Sequence, residues 1–477
     1  MEIMNSPWTA ILPHLLLAAG AVTIYLHGAW RPKSEKAIFA ITLITLLLAL
    51  ASSALLVPPE SGIAAGMLES SAFSRYYTVL LLLVTLATVL LLNAYARCHG
   101  LASEVLYGTL LLATLGMLGI AAASHWLIFF LSFELLSLSL YILVAIDRQQ
   151  DMAYEAGIKY FVMGAVASAF LVFGIGLFYA TTGTLVINAG FVTLAETNSS
   201  LLALPACILI LAGIGFKLSL VPFHLWTPDV YEGAPAPITA FLATGSKLAL
   251  FAALLRMVQA VPQLPPSLLL VLWLLAAATM LLGNLTALVQ VKVKRMLAYS
   301  SIAHMGYMLM ALLAGGDQGW SALLFYSAVY ALMDLGAFGG IGLLSPNGHD
   351  LNGLHEFRGA GSRHPVASAL ITISLVTLAG LPPTAGFFGK FMLFTAAFKG
   401  GYPWLAAIGL LSALISIFYY QKVVVALYQQ PEGEAHAARS ADWAGMLAGA
   451  VIFLLICWLG LMPAGLLKVI DGVLLGS

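Results

Sequence analysis

The stretch Gly213-Ile-Gly-Phe-Lys-Leu-Ser-Leu-Val-Pro222 puts a lysine inside a long apolar segment, a few residues before a proline. A second stretch, Leu381-Pro-Pro-Thr-Ala-Gly-Phe-Phe-Gly-Lys390, again joins a proline break to a lysine. Proline inside a helix removes a backbone hydrogen bond and interrupts the helix. Unwound backbone at membrane depth is tolerated only where it is buried or lines a hydrated cavity. The two stretches therefore predict two discontinuous transmembrane helices beside an ion pathway.

Apolar runs of about 20 residues recur from one end of the chain to the other. Of its 477 residues, 61% are hydrophobic and only 8% are charged, whereas soluble domains carry roughly a quarter charged residues. The runs lack the short alternation of barrel strands, and backbone in lipid must satisfy its own hydrogen bonds. The predicted fold class is an all-α polytopic membrane protein.

We predict about fourteen spans in a single transmembrane domain that covers residues 1–477. Residues 1–100 would hold helices 1–3, residues 101–258 and 267–428 two repeats of five helices, and residues 441–465 the final helix. Each repeat contains one discontinuous helix, and we expect the two repeats to be inverted relative to each other. The approximate limits of the spans are 8–30, 36–57, 76–95, 101–121, 124–146, 158–181, 202–232 (broken), 236–258, 267–290, 294–314, 320–344, 365–398 (broken), 403–428 and 441–465.

Basic residues concentrate in one set of predicted loops. With the N-terminus outside, the inner loops carry twelve basic residues and the outer loops three. This positive-inside asymmetry predicts that both termini lie on the outer side, and the absence of a basic n-region predicts that the first span is retained. The inner set is Arg31, Lys33, Lys36, Arg97, Arg148, Lys292, Lys294, Arg295, Arg358, Arg363, Lys422 and Arg439, and the outer set is Arg75, Lys399 and Lys468.

Among the charged residues within the predicted spans, the sequence singles out Glu134, Lys217, Lys247 and Lys390. A charge near the bilayer midplane costs at least about 2.5–3.5 kcal/mol on insertion scales, so it is rarely kept without a use. Several such groups in one bundle are what a proton relay requires. The alternative is a purely structural ion pair between the glutamate and a lysine.

Three further residues are secondary candidates for the same pathway. His304 lies in Ala298-Tyr-Ser-Ser-Ile-Ala-His304, a polar island within a span, and its reference pKa of about 6.5 suits proton transfer. His224 lies in the first helix break. Lys159 is close to the inner end of its span. The alternatives are packing histidines and a lysine that only reaches toward the interface.

The remaining charged residues in or near the spans are predicted to have structural roles. Arg256 is predicted to be an interfacial anchor at the outer end of its span. Thr227-Pro-Asp229 predicts a helix start with Thr227 as the cap, and Glu232 a turn residue. Lys292, Lys294 and Arg295 are predicted to form a loop cluster that determines topology.

Metal and cofactor motifs are absent from the sequence. Cys98, Cys207 and Cys457 are far apart and form no C-x-x-C pair. No P-loop occurs, and no G-x-G-x-x-G follows a strand. We therefore expect no metal site and no bound NADH, flavin or iron–sulfur cluster in this chain.

The segment from Phe216 to Pro237 resembles the signature of the antiporter-like membrane subunits of respiratory complex I. Glu134 in Ser-Phe-Glu-Leu, Tyr299-Ser-Ser-Ile-Ala-His304 and Gly386-Phe-Phe-Gly-Lys390 are similar to the same family, and the resemblance covers essentially the whole chain. It is closest to the subunit N branch, because subunit M has glutamate at the position of Lys390. The chain also ends soon after the fourteenth span, whereas subunit L continues into a lateral helix.

The resemblance implies a proton-translocating subunit of NADH:quinone oxidoreductase in the cell inner membrane, with both termini periplasmic. Glu134 and Lys217 would form a coupled pair, Lys247 a connector and Lys390 the lysine of the second half. At roughly 6 Å and an effective dielectric of about 20, the pair would interact by about 2.8 kcal/mol. NADH, FMN, iron–sulfur clusters and quinone would be bound by partner subunits. The partners would be antiporter-like and small helical membrane subunits and the lipid bilayer, with no nucleic acid.

Other functions stay open at this level. A subunit of a multi-subunit sodium/proton antiporter, or of a membrane-bound hydrogenase, would share the same lysine and glutamate axis. A stand-alone solute transporter would require a cavity with specific recognition groups, and the sequence has none beyond the axis. A structural scaffold would not explain four charges at membrane depth.

Overall fold

The computed structural model describes residues 8–31, 34–55, 61–63, 66–196, 201–261, 264–345, 350–430 and 443–475. Within these ranges, twelve helices are long and apolar enough to cross a membrane. The described chain is thus mostly helical, as the prediction of a polytopic helical membrane protein requires. Lys33, Arg439 and both chain ends, which entered the orientation argument, lie outside the described residues.

The helices of the first half include one of 32 residues, which at 1.5 Å per residue is about 48 Å long and exceeds the roughly 30 Å hydrocarbon core. In chain order they are α1 (Trp8–Trp30), α2 (Glu35–Leu55), α3 (Ala72–Cys98), α4 (Ser103–Ala122), α5 (Trp126–Val144), α6 (Asp151–Thr182), α7 (Ile187–Glu196), α8 (Ala203–Leu218), α9 (Trp226–Gly233), α10 (Ala236–Phe241) and α11 (Lys247–Gln259). A π-helical turn, Leu242–Ser246, joins α10 to α11.

The second half is built the same way from long apolar helices and short connectors. Its helices are α12 (Pro266–Leu288), α13 (Val293–Ala314), α14 (Gly316–Leu344), α15 (Ala360–Arg363), α16 (Pro365–Ala379), α17 (Ala385–Lys399), α18 (Pro403–Tyr428), α19 (Trp443–Leu461) and α20 (Ala464–Leu475). A 3₁₀ turn, Leu354–Phe357, precedes α15. The sequence did not predict α20, which follows α19 after a short turn and packs against α3 and α14.

Both predicted helix breaks are present. The first separates α8 from α9 at residues 219–225, and the second separates α16 from α17 at residues 380–384. At the second break, a Cβ on Gly386 would lie 1.9 Å from the carbonyl oxygen of Thr377. Only glycine permits this approach of α17 to α16, so the sequence at the break determines how closely the two half-helices pack.

A short antiparallel hairpin lies in the connection between α2 and α3, where the sequence predicts only a polar loop. Strands β1 (Ser61–Ile63) and β2 (Leu68–Ser70) pair, and β2 also bridges to Ala123 after α4. A further bridge joins His125 to Val186. Together, the hairpin and these two bridges join three connections at the same end of the bundle.

The most buried part of the bundle is formed by α4, α10, α11, α13 and α14, whereas α6 exposes a broad apolar face. Within this apolar interior, many hydroxyl groups bond back to the preceding helical turn. Thr85 donates to the carbonyl of Leu81 and also shares a 3.0 Å hydrogen bond with Thr114, which joins α3 to α4. Such small polar contacts are how helices associate where no water is available.

Candidate functional site

The three lysines predicted from the sequence are buried inside the bundle. Lys217 in the last turn of α8 is 1% exposed, Lys247 at the start of α11 is 0% exposed, and Lys390 in α17 is 4% exposed. Glu134 in α5 is only partly buried in the isolated chain. The four residues therefore sit on four helices, with three ammonium groups removed from solvent.

Lys217 is held by one hydroxyl and three aromatic rings. Its Nζ donates a hydrogen bond of 2.9 Å to Ser137 Oγ of α5. The same nitrogen lies 4.8 Å from the ring centroid of Tyr160, 5.3 Å from that of Tyr141 and 5.6 Å from that of Phe133. A cation over the faces of several rings is stabilised electrostatically even in a desolvated site. The ammonium is thus accommodated without a carboxylate in contact.

Glu134 and Lys217 are not in direct contact. Within the described ranges, no ion pair of 4.0 Å or less joins them; Glu134 instead accepts a short hydrogen bond from Ser168 of α6. Ser137, the partner of the lysine, lies three residues after Glu134 on α5, and i,i+3 residues share a helix face. Glu134 and the hydroxyl that binds Lys217 therefore lie on the same face of α5.

Residues in and after the first helix break end α8 and satisfy one of its terminal carbonyls. Ser219 has a left-handed conformation, with a φ of 62°, and ends α8. Trp226 Nε1 then donates to the carbonyl oxygen of Phe216 at 2.8 Å, so one terminal carbonyl of α8 is satisfied.

The predicted cap of α9 is wrong. The helix begins at Trp226, and Thr227 lies inside it, with its hydroxyl donating to Ser219 Oγ at 2.7 Å. His224, also in the break, is partly buried, and its Nδ1 has no hydrogen-bond partner among the described residues. No described hydrogen bond joins it to Lys217.

Lys247 follows the π-helical turn directly. Its Nζ donates to Ser301 Oγ of α13 at 2.6 Å, and Ser301 shares a further 2.6 Å hydrogen bond with the hydroxyl of Tyr330. The ring of Tyr231 lies 5.4 Å from the same nitrogen. Single π-helical turns inside α-helices occur frequently at functional sites. Here the turn delivers the lysine to a hydroxyl pair on α13 and α14.

Asp334 is a further candidate that the sequence did not predict, and the fold places it near Lys247. It is 1% exposed in α14, one turn after Tyr330, and its charge interacts with that of Lys247. Its Oδ2 has no hydrogen-bond partner in the part of the chain that the structure describes. The signal was present in Ala331-Leu-Met-Asp334, since an acidic residue within an apolar run is the criterion that identified Glu134.

His304 lies one turn beyond Ser301 on α13 and is buried between two tyrosines. Its Nδ1 is 2.6 Å from the hydroxyl of Tyr326, and its Nε2 is 3.2 Å from that of Tyr420, which also bonds Ser300. Both ring nitrogens are thus engaged by groups that can donate or accept a proton. The arrangement links α13 to α14 and α18.

Lys390 lies in α17, and its side chain reaches back to the end of α16 at the second helix break. Its Nζ donates to the carbonyl oxygens of Leu378 at 2.6 Å and Ala379 at 3.2 Å, which end α16. The negative end of a helix dipole favours a cation at this position. The ring of Tyr307 lies 5.4 Å from the ammonium, and Tyr307 continues into a hydrogen-bonded cluster with Asn284 and Ser412.

Comparison with known proteins identifies the family of the chain. A family model described as NADH:quinone oxidoreductase/Mrp antiporter, TM, matches residues 123–416. The chain is also 43% identical to NADH-quinone oxidoreductase subunit N 1 of Solidesulfovibrio magneticus, over 99% of this chain and 100% of that protein. The chain belongs to the NADH:quinone oxidoreductase/Mrp antiporter family.

Solved structures of this antiporter-like family have the same fold. A chain of respiratory complex I from Thermus thermophilus with bound aureothin is 36% identical, with a TM-score of 0.83, covering 96% of this chain and 98% of that one. A chain of the Mrp complex from Dietzia sp. DQ12-45-1b has a TM-score of 0.84 at 20% identity, covering 98% and 97%. At that identity, the second likeness concerns the fold alone.

Lys159 differs from the buried lysines of this antiporter-like chain. Its side chain is 43% exposed and forms ion pairs with Glu155 at 2.7 Å and Asp229 at 2.9 Å. Asp229 also binds Arg295 at 2.6 Å, and Arg295 reaches Glu232. Asp229 and Glu232 are therefore members of an ion-pair network, in addition to lying in the short helix α9.

Lys294 is not a loop residue, contrary to the prediction. It lies in the first turn of α13, is 2% exposed, and forms an ion pair of 2.7 Å with Asp350. Its Nζ also donates to the carbonyl of Ala234 at 2.6 Å. Burial raises the pKa of the Asp350 carboxyl, but the charge and hydrogen bonds of Lys294, Ser345 and Tyr95 outweigh burial and lower it overall.

Arg256, predicted to be an interfacial anchor, is buried within the protein. It is 6% exposed, donates to the carbonyl of Ala123 at 3.2 Å and lies 3.7 Å from the carboxylate of Glu69 on β2. It thereby fastens the hairpin to α11.

Groups that could hold a metal ion are absent from the described part of the chain, where no three His, Cys, Asp or Glu residues cluster suitably. Cys98, Cys207 and Cys457 are free thiols.

Proposed function

We propose that this chain is a proton-translocating membrane subunit of NADH:quinone oxidoreductase (complex I). Its similarity over nearly the full chain to proteins named NADH-quinone oxidoreductase subunit N supports this assignment. The chain would act as the non-redox part of a translocase. NADH, FMN, iron–sulfur clusters and quinone would be bound by partner subunits, and their electron transfer would drive proton movement here.

One observation carries the proposal: three buried ammonium groups are held mainly by hydroxyls, carbonyls and aromatic rings. Among the described residues, no carboxylate lies within 4.0 Å of Lys217, Lys247 or Lys390. A lysine locked in a close ion pair would hold its proton strongly. A lysine bonded to a hydroxyl or carbonyl can pass a proton on and take up another. Three lysines of this kind within one bundle form the stations of a relay.

The groups between the stations supply donors and acceptors for transfer. From Lys247, hydrogen bonds lead to Ser301 and Tyr330, and on α13 the next turn presents His304, which bonds Tyr326 and Tyr420. Hydroxyls and imidazoles both donate and accept, so they can carry protons together with intervening water. Glu134 and Asp334 would modulate the charge at Lys217 and Lys247. His224 would lie at one end of the path, and Lys159, which is exposed and ion-paired, would lie outside it.

The proposed architecture has fourteen spans, counting the twelve long helices and the two broken pairs. In residues 101–258 and in residues 267–428, the broken helix is the fourth of five spans, which supports two repeats. Alternating crossings would make the repeats inverted, with residues 1–100 and 441–465 outside them. Both termini would be periplasmic, as the positive-inside distribution favours.

The test is proton pumping by the assembled complex reconstituted into vesicles, with NADH oxidation measured in parallel. Lys217→Ala is expected to abolish or greatly reduce pumping while the complex still assembles, because the buried station is gone. Lys159→Ala is the matched control, since that lysine is exposed and ion-paired. Normal pumping by Lys217→Ala at unchanged NADH oxidation would refute the relay. Sodium-driven transport without NADH-linked partners would favour the antiporter alternative.

A further inference from the structure

A long apolar groove runs along the outside of the bundle, away from the lysines. It has a volume of about 1010 Å³ and lies between α3, α14, α19 and α20. Typical small-molecule sites reach roughly 1,000 Å³, so the groove is at their upper limit. Its walls are almost entirely aliphatic, including Leu83, Leu90, Leu335 and Val451. None of the proposed proton-relay residues lines it.

The groove has one charged end. Arg75 in the first turn of α3 and Lys468 on α20 both line it, and none of the described lining residues is a carboxylate. Neither cation has an ion pair within 4.0 Å in the described ranges. Both residues belong to the predicted outer side, which otherwise carries little positive charge. The groove therefore combines an apolar trough with two available cations at the interface.

A smaller polar cavity of about 90 Å³ adjoins this charged end. Ser53, Ala72 and Arg75 line both cavities. The smaller one is also lined by several hydroxyl groups and one carboxylate, that of Glu69, which lies 3.7 Å from Arg256. Polar groups thus surround the point where the apolar trough reaches the interface.

The length of the groove suits an acyl chain. Its lining on α3 runs from Arg75 to Leu90, which is about 22 Å along the helix axis. Half of a roughly 30 Å hydrocarbon core is about 15 Å. Trp458 lines the groove on α19 near the same end as Lys468, where amphipathic rings are favoured at the membrane interface. The trough reaches from the headgroup level to the bilayer midplane.

We propose that this groove binds an anionic phospholipid of the outer leaflet. The phosphate would be bound by Arg75 and Lys468, the polar part of the headgroup would face the hydroxyl-lined cavity, and the acyl chains would lie against α3, α14 and α19. The lipid would fill the groove between α3 and α20. This binding is independent of proton conduction, so the two proposals fail separately.

The experiment places a photoreactive benzoylphenylalanine at Leu83 in the assembled complex, in nanodiscs of phosphatidylcholine with a minor share of phosphatidylglycerol. The adducts are identified by mass. The matched control position is Leu411, which is also exposed on a helix but does not line the groove. We expect adducts at Leu83 to be enriched in phosphatidylglycerol, and adducts at Leu411 to follow the bulk lipid composition.

Charge variants test the headgroup site. Arg75→Gln and Lys468→Gln are each expected to lower the phosphatidylglycerol enrichment at Leu83 about fivefold. Arg75→Lys and the control Lys399→Gln, an exposed lysine at the end of α17, are expected to leave it unchanged. An excess of inorganic phosphate should not displace the lipid, because phosphate lacks acyl chains. Adducts with a neighbouring subunit, labelling at Leu83 that follows the bulk lipid composition, or displacement by phosphate would each overturn the proposal.

Discussion

Lys247 and Ser301 share a hydrogen bond of 2.6 Å that joins α11 to α13 in the most buried part of the bundle. Ser301 is bonded in turn to Tyr330, so one small hydroxyl stands between the lysine and the α14 tyrosine. This contact links residues 54 positions apart in the chain. It identifies Ser301 as the most direct point at which to interrupt the proposed relay without removing a charge.

We expect Ser301→Ala to reduce proton pumping about tenfold. The variant leaves the Lys247 ammonium without its described hydrogen-bond partner, and an unsatisfied buried donor costs about 1–3 kcal/mol. The measurement is pumping in vesicles divided by NADH oxidation. Thr42→Val is the control, because Thr42 is equally buried but bonds back to the Ile38 carbonyl of its own helix. A similar loss in both variants would mean that Ser301 matters only for packing.

Glu134 and Lys217 are expected to be energetically coupled through Ser137. The ammonium of Lys217 is buried and Glu134 is partly buried, so the removal of one partner leaves the charge of the other uncompensated. In a double-mutant cycle on pumping, Glu134→Gln and Lys217→Ala should therefore lose little more together than Lys217→Ala loses alone. Ser137→Ala should weaken the coupling, since that hydroxyl holds the lysine on the face of α5. Losses that simply multiply would establish that the two residues act independently.

The helical membrane fold and three of the buried ammonium groups could be predicted from the sequence. A charged residue within a run of apolar neighbours is recognisable from the adjacent residues, and its burial is costly wherever the chain folds. Lys217, Lys247 and Lys390 could be recognised from their apolar neighbours alone. The contacts of these lysines could not be predicted from the sequence, because Ser301, Tyr330 and the carbonyl of Leu378 come near them only through tertiary packing.

Two errors have the same physical origin. Lys294 was assigned to a loop because it adjoins two other basic residues, yet Asp350, 56 positions away, allows it to be buried. The start of α9 was misjudged because Thr227 has a second possible partner, Ser219, across the break. In each case a distant partner outweighed a local pattern.

Asp350→Asn is expected to destabilise the chain by about 3 kcal/mol at neutral pH, because it leaves Lys294 buried and unpaired. The folded pKa of Asp350 is lowered, so its stabilising effect is complete above the unfolded value of about 3.9 and is lost as pH falls through the lower folded value. The difference in Tm between wild type and variant should therefore stay constant from about pH 8 to pH 5. Asp151→Asn, at an exposed carboxylate, is the control. A difference that fades well above pH 5 would contradict the assignment.

Asp334→Asn tests whether the buried carboxylate of α14 belongs to the relay. The substitution keeps the shape of the side chain and removes the charge that faces Lys247 from one turn beyond Tyr330. If that charge sets how readily Lys247 takes up and releases a proton, pumping should fall about tenfold while NADH oxidation through the partner subunits falls less. Asp317→Asn is the matched control, because Asp317 is exposed in the first turn of the same helix. A structural role would predict a different pattern: lower Tm and poor assembly, with normal pumping by the complexes that do form. Adding Lys247→Met separates the two further, since a charge that acts through Lys247 should have no additional effect on pumping once the lysine is gone.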